Sequence, residues 1–309
     1  MATMVGGAVA SHSTLMNTDF ERVRDQAAAL GFRQALENAK THIAHLDPDV
    51  LLYIGSNHFR GFFLDLMPSF SVGVGKVIGC GEGGTPQGEL PTHPELARFL
   101  LDQIVANNID IAFSLNMTVD HGITYAVQHL SPSRSIPVIP IVINAFAPPL
   151  PSVSRCADLG RIIGAAIAKY PASTRVGVIG SGGLSHRLPW PDWRNPRSED
   201  DRVLVEAWLN GRADWQRYEG DRRAIIRSAQ SQISTDFDRA FLRAFEADAA
   251  PSLARTFADL DRQAGNGGAE IRNWIAAKAA VGSARVEVLG YWPVEEWLTG
   301  MGVATFGPS

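Results

Sequence analysis

Four of the eight histidines stand at comparable places along the chain, and that spacing is the first sign of chemistry. His12 lies in VASHS, His58 in IGSNHFRG, His121 in NMTVDHG and His186 in IGSGGLSH. Each follows the carboxyl end of a predicted strand by a few residues. In open α/β sheets the loops at that edge converge on one crevice, where ligands bind. Imidazole ligates metals and, near neutral pH, carries protons. Two imidazoles and one carboxylate with open positions form the facial set that holds Fe(II) for O₂ chemistry. A solitary loop histidine is more often solvated than functional, but four on one rim argue for a site.

Spacing does not select the carboxylate. Glu37, Asp120, Asp192, Glu270 and Glu295 are all candidates. Glu270 opens a helix after a glycine-rich turn in GNGGAEIRNW, and on spacing alone the favoured reading is an acid that complements the helix dipole. Asp120 either orients His121 or a substrate hydroxyl, or simply forms a turn. The other histidines receive structural readings. His42 and His45 sit in the last turn of a helix, His93 at a proline-led helix start, and His129 at the end of a helical stretch. GSGG before Leu184 lacks the Lys-Ser/Thr pair of a phosphate loop, and GEGGTPQGE lacks the flanking strand and helix of a nucleotide fingerprint.

The elements that must position these residues alternate between the two periodicities. Val5 to Ala10, Val50 to Ile54, Val138 to Ile143 and Val176 to Ile179 read as buried strands, and Ile109 to Leu115 as extended. Asp19 to His45 reads as one long amphipathic helix, with further helices over Pro94 to Val105 and Leu159 to Ala168. Asp65 to Glu89 is rich in Gly, Pro and β-formers, which predicts a hairpin excursion and loop. Ser198 to about Leu260 is charged and helical, suited to a lid around the mouth of a site. A helix over Ala269 to Val281, a strand over Arg285 to Leu289 and a short helix near Glu295 complete the pattern. The prediction is an α/β fold: one domain over 1–309, a central mostly parallel sheet flanked by helices, a β-hairpin excursion and a helical C-terminal half.

Composition narrows the function classes. The 309 residues are 45% hydrophobic and 19% charged, with material for a large core. A net charge of −4 leaves no electrostatic footprint for nucleic acid or an anionic membrane. Cys80 and Cys156, far apart, read as reduced thiols, and no apolar stretch is long enough to cross a bilayer. The N-terminal segment has neither the basic region nor the apolar length of a signal peptide, so the expectation is a cytoplasmic protein.

The strings ASHS, SNHFRGFFLDLMPSFSVGVG, GELP, VDHG, PVIPIVIN, IGSGGLSH and EIRNWIAAKAA, in that order, resemble the class III extradiol ring-cleavage dioxygenases. More narrowly, the chain looks like the 2,3-dihydroxyphenylpropionate 1,2-dioxygenase branch of the family that includes the catalytic subunit of protocatechuate 4,5-dioxygenase. The resemblance runs from His12 to about Gly300. It implies that His12 and His58 are the histidine ligands of Fe(II) and that Glu270 is the carboxylate ligand, reversing the dipole reading. It matches His121 and His186 to the two further histidines of the family's site, which as imidazoles suit an acid–base pair of undecided order, and it implies a homo-oligomer needing only Fe(II) and O₂. The implied reaction opens a catechol-type ring beside its diol with both atoms of O₂.

The ring itself stays open among substituted catechols, gallate-like acids and dihydroxypyridines. Arg60, Arg187 and Arg194 are candidates to hold a substrate carboxylate. Two other readings compete: a metal-dependent hydrolase with the same ligands, which would work without O₂, and a non-catalytic binding protein on the same fold.

Overall fold

The computed structural model describes residues 1–307. The first half runs β1 (Thr3–Ala10), α1 (Thr14–Thr18), α2 (Gln26–Leu46), β2 (Val50–Ser56), β3 (Phe70–Cys80) and β4 (Gln87–Leu90). It continues through α3 (Pro94–Ala106), β5 (Ala112–Val119), α4 (His121–Leu130), β6 (Val138–Ile143), α5 (Val153–Ile167) and β7 (Arg175–Ser181). A helical stretch follows: α6 (Glu199–Asn210), α7 (Gln216–Arg227), α8 (Thr235–Ala247), α9 (Ala250–Thr256), α10 (Leu260–Ala264) and α11 (Ile271–Val281). The last two strands are β8 (Arg285–Val294) and β9 (Thr299–Gly307).

The described residues form one nine-stranded sheet in the order β4-β3-β6-β2-β7-β1-β9-β8, with β5 alongside β3. Its centre, β6-β2-β7-β1, is parallel. The flanks are not: β3 runs antiparallel to β6 and β4, and β9 runs antiparallel to β1 and β8. The mostly parallel sheet expected from the alternation is therefore mixed. The predicted hairpin is real, since β3 pairs antiparallel with β4. It is no excursion, because β3 also pairs with β5 and β6 inside the main sheet.

Helices cover both faces. α2 buries Phe32, Leu36, Ala39 and Ile43 at helical spacing in one apolar layer shared with α4. It starts at Gln26 rather than Asp19, because the Asp25 carboxylate accepts the Ala28 N–H and caps it there. α5 and α11 pack together on the opposite face, with α3, α8 and α9 beside them. α11 is buried almost all round and ends at Gly282, just after its last turn. A third apolar cluster of Phe59, Phe63, Phe146, Trp190, Leu204 and Trp208 lies beneath α6, beside the carboxyl edge of the parallel strands. Among the described residues no helix is long and apolar enough to cross a membrane.

Candidate metal centre

The parallel strands deliver the first two histidines. His12 stands two residues beyond β1 and His58 two beyond β2, each 4% exposed. The His12 Nδ1 is 3.0 Å from the hydroxyl of Ser181, the last residue of β7. The His58 backbone N–H donates to Asp120 Oδ2 at 2.5 Å, and its Nδ1 is 3.2 Å from Asp120 Oδ1. With both Nδ1 atoms engaged outward, the Nε2 atoms converge on one oxygen. Glu270 Oε1 is 3.4 Å from each. His12 Nε2 and Glu270 Oε1 have no hydrogen-bond partner among the described residues. Two donors held at about 2.1 Å by one cation stand about 3.0–3.4 Å apart, according to the angle between them. The donor set fits a divalent cation.

Glu270 is 1% exposed and sits in the short turn that opens α11. Its second oxygen accepts the Gly183 N–H at 3.0 Å. Gly182 has φ +111°, and a Cβ there would lie 2.6 Å from the Glu270 carboxyl carbon. The GSGG turn after β7 therefore makes room for a carboxylate, not a phosphate. One turn into α11, Asn273 donates to Ser56 Oγ at 2.9 Å and to the Ser181 carbonyl at 2.7 Å. That side chain ties the Glu270 helix to the ends of β2 and β7.

The other two rim histidines reach the same place. His121 is the first residue of α4; its ring centroid is 3.8 Å from that of His58 and 5.0 Å from that of His12. Its Nδ1 is 2.7 Å from Glu82 Oε2. His186 is 5% exposed, with Nδ1 3.0 Å from the Leu184 carbonyl. An Nδ1–H donated to that carbonyl leaves its Nε2 as a lone pair. His12, His58, His121 and His186 all line one cleft. Two overlapping donor sets arise. Nitrogens of His12, His58 and His121 lie within 4.8 Å of one another, and Glu270 bridges the first two.

The electrostatics show a site short of positive charge. Burial pushes the His12 imidazole down to about 3, with Glu270 opposing the shift. Burial also opposes a charge on His58, but Asp120 and then Glu270 outweigh it and raise His58 to about 10. Burial resists ionisation of Glu270, yet His12, His58 and His186 together hold it well below the usual carboxylate range. One carboxylate thus faces one neutral imidazole and one imidazolium. A bound cation would replace that proton.

Several expectations need correction. Asp120 does not orient His121; it holds His58 and caps α4 through the Gly122 N–H at 3.0 Å. The partner of His121 is Glu82, inside the GEGG string that reads as a plain loop. Glu37, Asp192 and Glu295 are exposed on the surface. None of the three arginines suggested for a substrate carboxylate lines the cleft. Arg60 is buried in ion pairs with Glu82 and Glu219, Arg194 pairs with Asp192, and Arg187 is exposed. The cations at the cleft are Arg222, Arg223 and Arg227 of α7, and its aromatic wall includes Trp190. His93 caps α3 through the Leu96 N–H, as its position suggests.

Comparison with known proteins shows the family. Residues 6–303 match the family described as the catalytic LigB subunit of aromatic ring-opening dioxygenase. The chain is 34% identical over 308 residues to a 2,3-dihydroxyphenylpropionate/2,3-dihydroxicinnamic acid 1,2-dioxygenase of Rhodococcus jostii, covering 96% of each. A protein of the same name from Paraburkholderia xenovorans is 33% identical over 279 residues, 85% of this chain and 86% of that one. Among solved structures, an uncharacterised protein from Escherichia coli K12 superposes with a TM-score of 0.54 at 11% identity, covering 98% of this chain and all of the other. That likeness concerns the fold alone. The chain belongs to the LigB family of aromatic ring-opening dioxygenases, as an enzyme of the extradiol type.

Proposed function

We propose that the chain is an Fe(II)-dependent extradiol dioxygenase in which His12, His58 and Glu270 hold the iron, while His121 and His186 move protons. The observation that carries this reading is the Glu270 oxygen equidistant from two imidazole nitrogens, 3.4 Å from each. A buried carboxylate oxygen that makes no well-formed hydrogen bond is costly unless a cation meets it, whether a protonated imidazole or a metal ion. Between the two donor sets, that cost favours the one that includes Glu270. His121 lies alongside His58, with its Nδ1 committed to Glu82, and suits proton transfer better.

Bound Fe(II) would supply a Lewis-acidic, redox-active centre at which a catechol and O₂ meet. The chain supplies the rest. His121 and His186, each with Nδ1 occupied, present Nε2 for taking a proton from the diol or returning one later. Phe146 packs 4.9 Å from the His58 ring and 4.7 Å from Trp190, an aromatic wall that keeps bulk water from one side of the site.

The substrate proposed is a catechol with a carboxylate side chain. Two features support it: the acids named for the relatives, and the α7 arginines along the cleft. The test is anaerobic loading with Fe(II), then addition of O₂ and 2,3-dihydroxyphenylpropionate. One O₂ consumed per ring-opened product is expected. Turnover with zinc and no O₂, or iron binding with every diol inert, would overturn the reading.

A further inference from the structure

The GEGG turn between β3 and β4 carries a carboxylate that the proposed reaction has not yet used. Glu82 is flanked by Gly81 and Gly83 and is largely buried, its side chain 8% exposed. Its two oxygens are divided between two tasks. Oε1 accepts from Arg60 at 2.7 Å and from Arg222 at 2.5 Å. Oε2 is 2.7 Å from His121 Nδ1. Arg60 also reaches Glu219 at 2.9 Å, so two guanidinium groups and two carboxylates form a closed set.

We propose that Glu82 is a positioning residue that fixes His121 in the Nδ1–H tautomer, aiming its Nε2 lone pair at the reacting diol, and that Arg222 of α7 holds Glu82 in place for that task. This rests on His121 acting as an acid–base residue. An ionised carboxylate accepts only, so the imidazole nitrogen facing it must carry the proton. That leaves the other nitrogen bare. The two arginines saturate Oε1 and prevent the carboxylate from turning, which reserves Oε2 for the histidine. Arg222 makes the tautomer depend on a helix from outside the sheet. α7 enters the site through this contact as well as by lining the cleft.

An amide at this position discriminates sharply. In Glu82→Gln the amide oxygen is drawn to Arg60 and Arg222, so the NH₂ faces His121. The histidine must then accept at Nδ1 and carry its proton on Nε2, the wrong tautomer for a base. Expected for the iron-loaded variant is a kcat lowered by about 100-fold or more, with KM for the diol changed by less than about threefold. Combining it with His121→Ala should give the kcat of His121→Ala alone, since Glu82 acts only through that ring. Losses that multiply in the double variant would overturn the proposal. Full turnover by His121→Ala alone would instead refute the acid–base reading beneath it. A measurement that needs no variant is histidine ¹⁵N NMR of the zinc-loaded chain. An Nδ1–H signature for His121 supports the assignment, and an Nε2–H signature defeats it.

Discussion

Asp120 grips His58 at two points: one carboxylate oxygen accepts its backbone N–H at 2.5 Å, and the other stands 3.2 Å from its Nδ1. The same side chain caps α4 through Gly122. A helix start and an imidazole therefore share one anchor.

Replacing that anchor tests the metal centre. Asp120→Asn offers a single acceptor where three N–H groups call for one. Iron affinity should fall about 10–100-fold. Stability should fall by about 1–3 kcal/mol, because a buried donor loses its partner. Anaerobic Fe(II) titration and thermal denaturation read the two effects separately. An unchanged dissociation constant would mean that His58 is not a ligand.

Gly182→Ala probes the other side of the site. The added methyl would stand against the Glu270 carboxyl carbon, on backbone at φ +111° that disfavours any side chain. Positive φ alone costs a non-glycine residue about 1–3 kcal/mol. The variant should be less stable by at least that amount and should lose bound iron, as measured by metal analysis after purification. Normal iron content would separate the Gly182 turn from the ligand set.

α7 provides a test of substrate class. Arg227→Ala should raise KM for 2,3-dihydroxyphenylpropionate about tenfold, as expected for loss of one charge-assisted hydrogen bond worth about 1.5 kcal/mol. KM for unsubstituted catechol should move by less than about twofold, because that ring has no acid to hold. Equal effects on the two substrates would remove α7 from substrate recognition.

The loop that carries His186 has a pH signature of its own. Asp238 of α8 is fully buried and accepts from Ser185 N at 2.8 Å, Ser185 Oγ at 2.7 Å and Tyr291 OH at 2.7 Å. Burial, only partly offset by Tyr291 and Ser185, pushes its pKa up to about 6. The folded chain therefore binds more protons at this group than the unfolded chain between about pH 4 and pH 6. Its contribution is greatest below that window, falls as pH rises through it, and is level above pH 6. The difference is on the order of 3 kcal/mol. Denaturant titrations from pH 4 to 7 on wild type and Asp238→Asn should show this slope in wild type only; a slope common to both would assign it elsewhere.

Periodicity made the centre of the fold legible. Val138–Ile143 begins and ends where its apolar run does, and β1, β2 and β7 differ from their predicted ranges only at the ends. β9 was not legible. Its sequence, TGMGVATFG, mixes three glycines with Met301, Val303 and Phe306 and shows no regular apolar–polar alternation, and it becomes a strand because β1 and β8 supply partners on both sides. The same limit governed the site. Four histidines could be placed on one rim because strand ends are local features. Glu82 and Asn273 could not, because their roles depend on contacts across 39 and 217 residues. Local sequence leaves Asp120 open between His121, a substrate hydroxyl and a turn; its contact with His58 arises only because β2 and β5 bring the two together in space.

β9 has a consequence for how such an enzyme is made. The strand that leads to His12 is closed on one side by β9, and the Ser11 hydroxyl donates to the Gly300 carbonyl, 289 positions further along the chain. During synthesis the N-terminal histidines leave the ribosome long before the segment that braces them, and Glu270 also emerges late. The nascent chain then carries the proposed histidine ligands before the proposed carboxylate ligand. On the proposed ligand set, a metal would meet its full set of donors only after the C-terminal part of the sheet has formed.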